Sequence, residues 1–305
     1  MVEHLWLSCQ VGVQLPLVPV ATWQLAATHH EQIVATWTSD RLHRRSRGLK
    51  HPVDDFMFEY YPISVSKLAT WHPGWRIELE PKLNADEIFN VQLYSIADSI
   101  RLRADIFQAR LSEIANELEF LTATLNRSAR TGCFGLHEWA MVLGESELRH
   151  DQWPLRISQS EIAQTISDIG LRCTHFDAFR FFTEVARPLN PLQLVRTDQL
   201  KVEQPGCLHA NMDLYKIAMR WAPIIGSVLV RQCFRLAREI RTLDMQSAPY
   251  DLRDLGVTPI PIETTQGRQE FTRQQKRYSD RAQVLRTEII KQLLGFKNAF
   301  MHTGI

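Results

Sequence analysis

The stretch Gln204-Pro-Gly-Cys-Leu-His-Ala-Asn-Met-Asp-Leu-Tyr-Lys-Ile-Ala-Met-Arg-Trp221 opens on a Pro-Gly pair and then runs without another turn former. At 3.6 residues per turn, Leu208, Met212, Tyr215 and Met219 fall on one stripe, and His209, Asp213, Lys216 and Arg220 on the stripe beside it. The segment therefore reads as a turn feeding a helix over 209–221, with a polar row along a buried edge. Two earlier stretches repeat this chemistry. His137 and Glu138 stand beside Trp139 and Met141, and His175 and Asp177 lie amid Phe176, Phe179, Phe181 and Phe182. Three imidazole–carboxylate pairs in apolar company imply helices that carry polar groups into an interior.

Working outward, the same periodicity predicts a helix over 226–243, past Pro223. Residues 84–130 contain neither Gly nor Pro, and Phe107, Leu111, Ile114, Leu118, Leu121 and Leu125 recur four and three apart, the rhythm of an a/d seam. This run is expected to be the longest helix, packed inside a bundle or against a second copy in a homodimer. A helix from about Ala21 would align Trp23, Ala26, Ala27, His30, Val34 and Trp37. Another should start near Leu136. Ser158 with Glu161 forms a capping box for a helix through Ile169 that Gly170 closes. A last helix spans 269–294 and ends at Gly295. Val11, Val13, Leu15, Leu17 and Val18 suggest an extended start, and Pro259 and Pro261 an extended 257–262. The expected fold is mainly α: a single helical-bundle-like domain over 1–305, with irregular loops and at most a small sheet near the ends.

Composition narrows the function. With 305 residues, 45% of them hydrophobic, the chain can bury a sizeable core, and its net charge of +1 supplies no global field for a polyanion. The basic set is mostly Arg, which favours planar carboxylate or phosphate partners. Five cysteines, at 9, 133, 173, 207 and 233, include no C-x-x-C pair, which points to a reducing cytoplasm rather than a disulfide frame. The first 25 residues lack a basic leader, and no stretch approaches ~20 uninterrupted apolar residues. A soluble, cytoplasmic protein without a membrane partner is expected.

Imidazole is the commonest metal ligand, and carboxylates complete its shell or orient the ring from outside. Facing inward, His137, His175 and His209 would hold a divalent metal or a haem, while Glu138, Asp177 and Asp213 serve as ligands or bases. For each residue singly, a satisfied core role is the simpler reading. Cys133, Cys173 and Cys207 precede the three histidines by two to four residues, which fits either a mixed Cys/His zinc site or buried inert thiols. Asp54 and Asp55 suit the first turn of a helix, and Asp55 is also a candidate base beside Phe56, Tyr60 and Tyr61. Trp71, His72 and Trp75 either stack on a flat ligand or anchor a loop. Tyr215 joins them as a candidate contact to substrate. Arg41, Arg44, Arg45, Arg47 and Lys50 read as a solvated helix end or as a phosphate or carboxylate clamp. Serine-hydrolase, P-loop, dinucleotide and H-E-x-x-H fingerprints are absent.

His51-Pro-Val-Asp-Asp-Phe with its continuation to Tyr61, Trp71-His-Pro-Gly, Thr131-Gly-Cys-Phe-Gly-Leu-His-Glu-Trp-Ala-Met, Thr174-His-Phe-Asp-Ala-Phe-Arg-Phe-Phe, Gln204-Pro-Gly-Cys-Leu-His-Ala-Asn-Met-Asp-Leu-Tyr-Lys and the segment from Asp244 to Asp251 together span nearly the whole chain. In these motifs the sequence resembles a bacterial, mainly actinobacterial, family labelled 3-methyladenine DNA glycosylase. The helix-hairpin-helix usual in helical glycosylases is not among its motifs. The resemblance implies removal of an alkylated base from DNA by hydrolysis of its N-glycosidic bond. A flipped base would stack on Tyr60, Tyr61, Trp71 or Trp75, a carboxylate would activate water, and Arg44, Arg45 and Arg47 would hold phosphates. The residues themselves support a second reading, a metal- or haem-dependent enzyme acting on a small-molecule substrate. A third, resting on the a/d seam, is a helical interaction protein.

Overall fold

The computed structural model describes residues 15–145 and 153–301. Val11, Val13 and Cys9, and the 149–152 part of a polar connector ahead of Pro154, lie outside them. Strand β1 (Leu17–Val18) leads into α1 (Val20–Ser46), whose buried face carries Trp23, His30, Val34, Thr38 and Arg41. Two short helices follow, α2 (Phe56–Glu59) and α3 (Val65–Ala69), the latter capped by the Ser64 side chain. Then come β2 (Glu78–Leu79), β3 (Tyr94–Ile96), β4 (Ile100–Leu102), α4 (Asp105–Gln108) and α5 (Leu111–Leu125).

The long helix expected over 84–130 is therefore corrected. Asn84 takes a left-handed φ of 59°, and residues 94–102 form a hairpin in which Tyr94 and Ile100 turn to the interior. Alternation of period two was hidden in a run free of Gly and Pro, and tertiary burial of those rings decided the conformation. Only the Leu111–Leu125 part of the seam is one continuous helix, and its Ile114, Leu118 and Leu121 are buried. The four strands make one small sheet in the order β1-β2-β4-β3, parallel between β1 and β2 and antiparallel elsewhere. It covers a minor core of Trp23, Ile77, Leu79, Phe89, Tyr94 and Ile100.

The major core belongs to the second half. Helices α6 (Leu136–Ala140), α7 (Gln159–Ile169), α8 (Phe176–Phe179) and α9 (Gln199–Val202) surround α10 (Leu208–Arg220), α11 (Ala222–Ile225), α12 (Ser227–Ser247) and α13 (Thr265–Met301). The capping box of Ser158 and Glu161 is present and Gly170 closes α7. Helix α10 is buried from Leu208 to Tyr215 on every face, as befits a helix wrapped by others. It packs on α12 and α13, and α13 also packs on α5.

At 37 residues α13 is the longest element and runs past Gly295, which was expected to end it. A Cβ at Gly295 would lie 3.2 Å from the Trp75 ring and 2.5 Å from the Arg76 guanidinium. The glycine serves close packing rather than termination. The fold is mainly helical with one small sheet, and among the described residues no helix is long and apolar enough to cross a membrane.

Candidate active site

Four elements meet at one place. Helix α10 supplies His209 and Asp213, one turn apart; α6 supplies His137 and Glu138; His175 precedes α8 and Asp177 sits in its first turn; α12 supplies Arg241 and Asp244. All eight are buried. The approach of α6 to α12 depends on Gly135, at φ 72°, where a Cβ would stand 2.2 Å from Ser247 Oγ. The Trp139 indole N–H then donates to the Ser247 carbonyl at 2.8 Å and fixes the two helices.

The His209 ring is central, with the His137 ring edge-on at 4.4 Å between centroids and the His175 ring stacked at 5.1 Å. Burial, and then the neighbouring His137 and His175, push its pKa well below the ordinary value, so His209 is neutral. The other two go the opposite way. Burial disfavours a charged His137, but the Asp244 carboxylate overrides it and raises the pKa well above 6.5. Glu203, whose carboxylate accepts from His175 Nδ1 at 3.0 Å, likewise raises His175 against the effect of burial. Arg241 donates to both Glu138 and Asp244 at 2.6 Å. Although burial opposes ionisation of Asp244, His137 and Arg241 hold its pKa well below the carboxylate range.

Several donor atoms are left over. His137 Nε2 stands 2.9 Å from Asp244 Oδ1 as a buried ion pair, and among the described residues neither atom has a further hydrogen-bond partner. Glu138 Oε2 and His175 Nε2 are also buried without one. Donor atoms of His137, His209 and Asp244 all lie within 4.8 Å of one another, as do those of His175, Asp177 and Asp213, and those of His175, Glu203 and Cys207. Asp213 is oriented by the Tyr61 hydroxyl at 2.7 Å and by Lys216 at 3.1 Å, and Asp177 by Arg196 at 2.8 Å.

A pocket of about 420 Å³ opens beside this cluster, lined by Phe56, Tyr60 and Trp153 on one hand and by Glu138, Asp177, His209 and Arg241 on the other. Phe56 and Tyr60 stack at 4.8 Å, and Arg241 lies 3.9 Å over the Phe56 ring. Asp55 also lines it, but its carboxylate accepts from the His51 amide and pairs with Arg41 and Arg44.

The remaining candidates lie elsewhere. Arg44 is tied to Asp54 at 2.8 Å, while Arg45 and Arg47 are exposed. Trp71 stacks on Trp23 in the minor core, His72 bonds the Tyr94 hydroxyl at 2.9 Å, and Trp75 packs on Phe296 of α13. These three anchor a loop, and none of them lines the pocket. Tyr61 and Tyr215 are fully buried behind the pocket, edge to face at 5.8 Å. Arg241, Asp244 and Glu203 were missed as site residues. Asp244 stands at the head of one of the resemblance motifs, three residues after Arg241 on one helix face, and that buried charged pair was the available signal.

Comparison with protein-family models, with curated proteins and with solved structures returns no match. What the pocket does is therefore derived from its own residues.

Proposed function

We propose that the pocket is the active site of a metal-dependent enzyme acting on a small, flat substrate, with His137, His209 and Asp244 as the ligands of a divalent ion. The observation that carries this reading is the pair His137 Nε2 and Asp244 Oδ1, buried, 2.9 Å apart and without any further hydrogen-bond partner among the described residues, beside a His209 donor within 4.8 Å of both. About 3 Å is the spacing of adjacent donors around an ion bound at ~2.1 Å. Two imidazoles and one carboxylate, of which His209 also lines the pocket, make a donor set used by hydrolytic and oxidative metal enzymes alike. A divalent ion held there would act as a Lewis acid toward a substrate oxygen or nitrogen.

The chain's own groups do the rest. Arg241 pairs with both Glu138 and Asp244, and the Phe56 and Tyr60 rings offer a wall for a planar group. The stacked wall also favours a second reading, the N-glycosylase one, in which the planar group is an alkylated base flipped from DNA.

Elemental analysis of the purified protein decides between them. One equivalent of divalent metal that is lost in His209→Ala supports the first reading. Metal-free protein that releases 3-methyladenine from alkylated DNA would sink it in favour of the second.

A further inference from the structure

Beyond the His137, His209 and Asp244 set, the imidazole layer ends in His175, which is 0% exposed. Its Nδ1 is committed to the Glu203 carboxylate at 3.0 Å. Glu203 is itself buried and also accepts from Gln199 Nε2 at 3.2 Å. A carboxylate that takes one ring nitrogen fixes the ring and leaves the other nitrogen for a ligand, the arrangement found behind metal-bound histidines. That other nitrogen, Nε2, is buried and has no hydrogen-bond partner among the described residues.

Two carboxylates stand within reach of this ring. Donor atoms of His175, Asp177 and Asp213 lie within 4.8 Å of one another, and all three residues are buried. Opposite donors around an ion bound at ~2.1 Å stand about 4 Å apart, so closure on an ion asks for less than about 1 Å of movement. Arg180 and Arg196 approach Asp177 at Oδ1, and Lys216 approaches Asp213 at Oδ2, from side chains that are 45%, 63% and 35% exposed. A carboxylate offers about four lone-pair positions, so these contacts exhaust neither group. The Tyr61 hydroxyl, donating to Asp213 Oδ1 at 2.7 Å, holds that carboxylate in place.

We propose that His175, Asp177 and Asp213 bind a second divalent ion beside the one assigned to His137, His209 and Asp244. The inference extends the metal-enzyme reading above and rests on it. Helix α10 serves both ions, since His209 and Asp213 are one turn apart, and the His175 ring stacks on the His209 ring at 5.1 Å between centroids. Asp177 and His209 both line the 420 Å³ pocket, so each ion has one ligand on the wall that meets substrate. One imidazole with two carboxylates is a harder donor set than two imidazoles with one carboxylate, and suits an ion of the manganese type.

Manganese(II) titrated into the metal-stripped full-length protein, with the free ion counted by electron paramagnetic resonance, tests this. Two ions should bind per chain, a count that needs no variant. Asp177→Ala, whose arginine partners can turn to solvent, should bind one, and His209→Ala should also bind one. A total of one ion, kept by Asp177→Ala and lost by His209→Ala, would overturn the second site and leave the first reading standing. A total of one with the opposite pattern would uphold this site and remove the other. Two ions in Asp177→Ala, a single ion lost from both variants, or no ion bound at all would each overturn the proposal.

Discussion

His30 and His209 are both buried imidazoles, and the contrast between them separates packing from chemistry. In His30 one ring nitrogen donates to the Leu68 carbonyl at 2.9 Å and the other accepts from Arg231 at 3.0 Å. A proton added there would face a guanidinium. Burial and then Arg231 lower its pKa to about 4, and burial does the same to His72. Since both folded values lie below the unfolded value near 6.5, the stability they contribute is present above pH 6.5 and drains away as pH falls toward 4. Urea midpoints measured across that window should decline, and His30→Gln, which keeps a donor for the Leu68 carbonyl, should flatten the slope by about one proton. In the metal-free protein His137 and His175 are raised instead and work in the other direction: their contribution is present below pH 6.5 and lost as pH rises through their folded values. Asp244→Asn should be more damaging than any of these, because Arg241 and His137 lose a buried countercharge. A loss of roughly 3–5 kcal/mol in urea unfolding, together with loss of the bound metal, is expected.

At the level of elements, the site is set by how closely α6 approaches α12. Gly135→Ala adds a side chain to a left-handed residue and drives its Cβ onto Ser247 Oγ. Overpacking of this kind costs about 1–3 kcal/mol, and the displacement should weaken metal binding as well. Ser247→Ala in the same chain removes the overlapping atom and should recover part of both, which thermal unfolding and metal titration would register. No recovery would mean that the left-handed backbone, rather than the contact, is what Gly135 provides. The α7 capping box is legible in sequence because Ser158 and Glu161 need only each other. Residues 94–102 turned out differently because Tyr94 and Ile100 have a sheet partner and a core to face, neither of which is local.

For the whole molecule, charge and linkage give the tests. The net charge is +1, and within the basic run Arg41 and Arg44 are spent on Asp54 and Asp55, leaving Arg45 and Arg47 free to meet phosphate. If the chain engages DNA through this run, two phosphate contacts give a log–log salt slope of only about −2. Arg45→Ala with Arg47→Ala should abolish what slope there is, and a slope several times steeper would point to another surface. A metal bound only by the folded state, at a free concentration one hundred times its dissociation constant, adds about 2.7 kcal/mol. A chelator should therefore lower the melting temperature of the protein as isolated, and restored metal should return it.

The sequence by itself determined a mainly helical chain, a helix over 209–221 that the structure places at Leu208–Arg220, and the capped helix from Gln159, since period, cap and turn residues act over a few positions. It also pointed to His137, His175 and His209 as inward-facing, because polar groups at apolar helical spacing can only be buried or wasted. Tertiary structure alone decided that the three rings meet at His209, that Asp244 rather than the sequence neighbour Glu138 pairs with His137, and that Glu203 takes His175 Nδ1. It also decided that Arg44 is neutralised and that Gly295 lies inside a helix. Ion pairing and close packing of this kind join residues dozens of positions apart, and no local pattern encodes which of several carboxylates a buried imidazole will find.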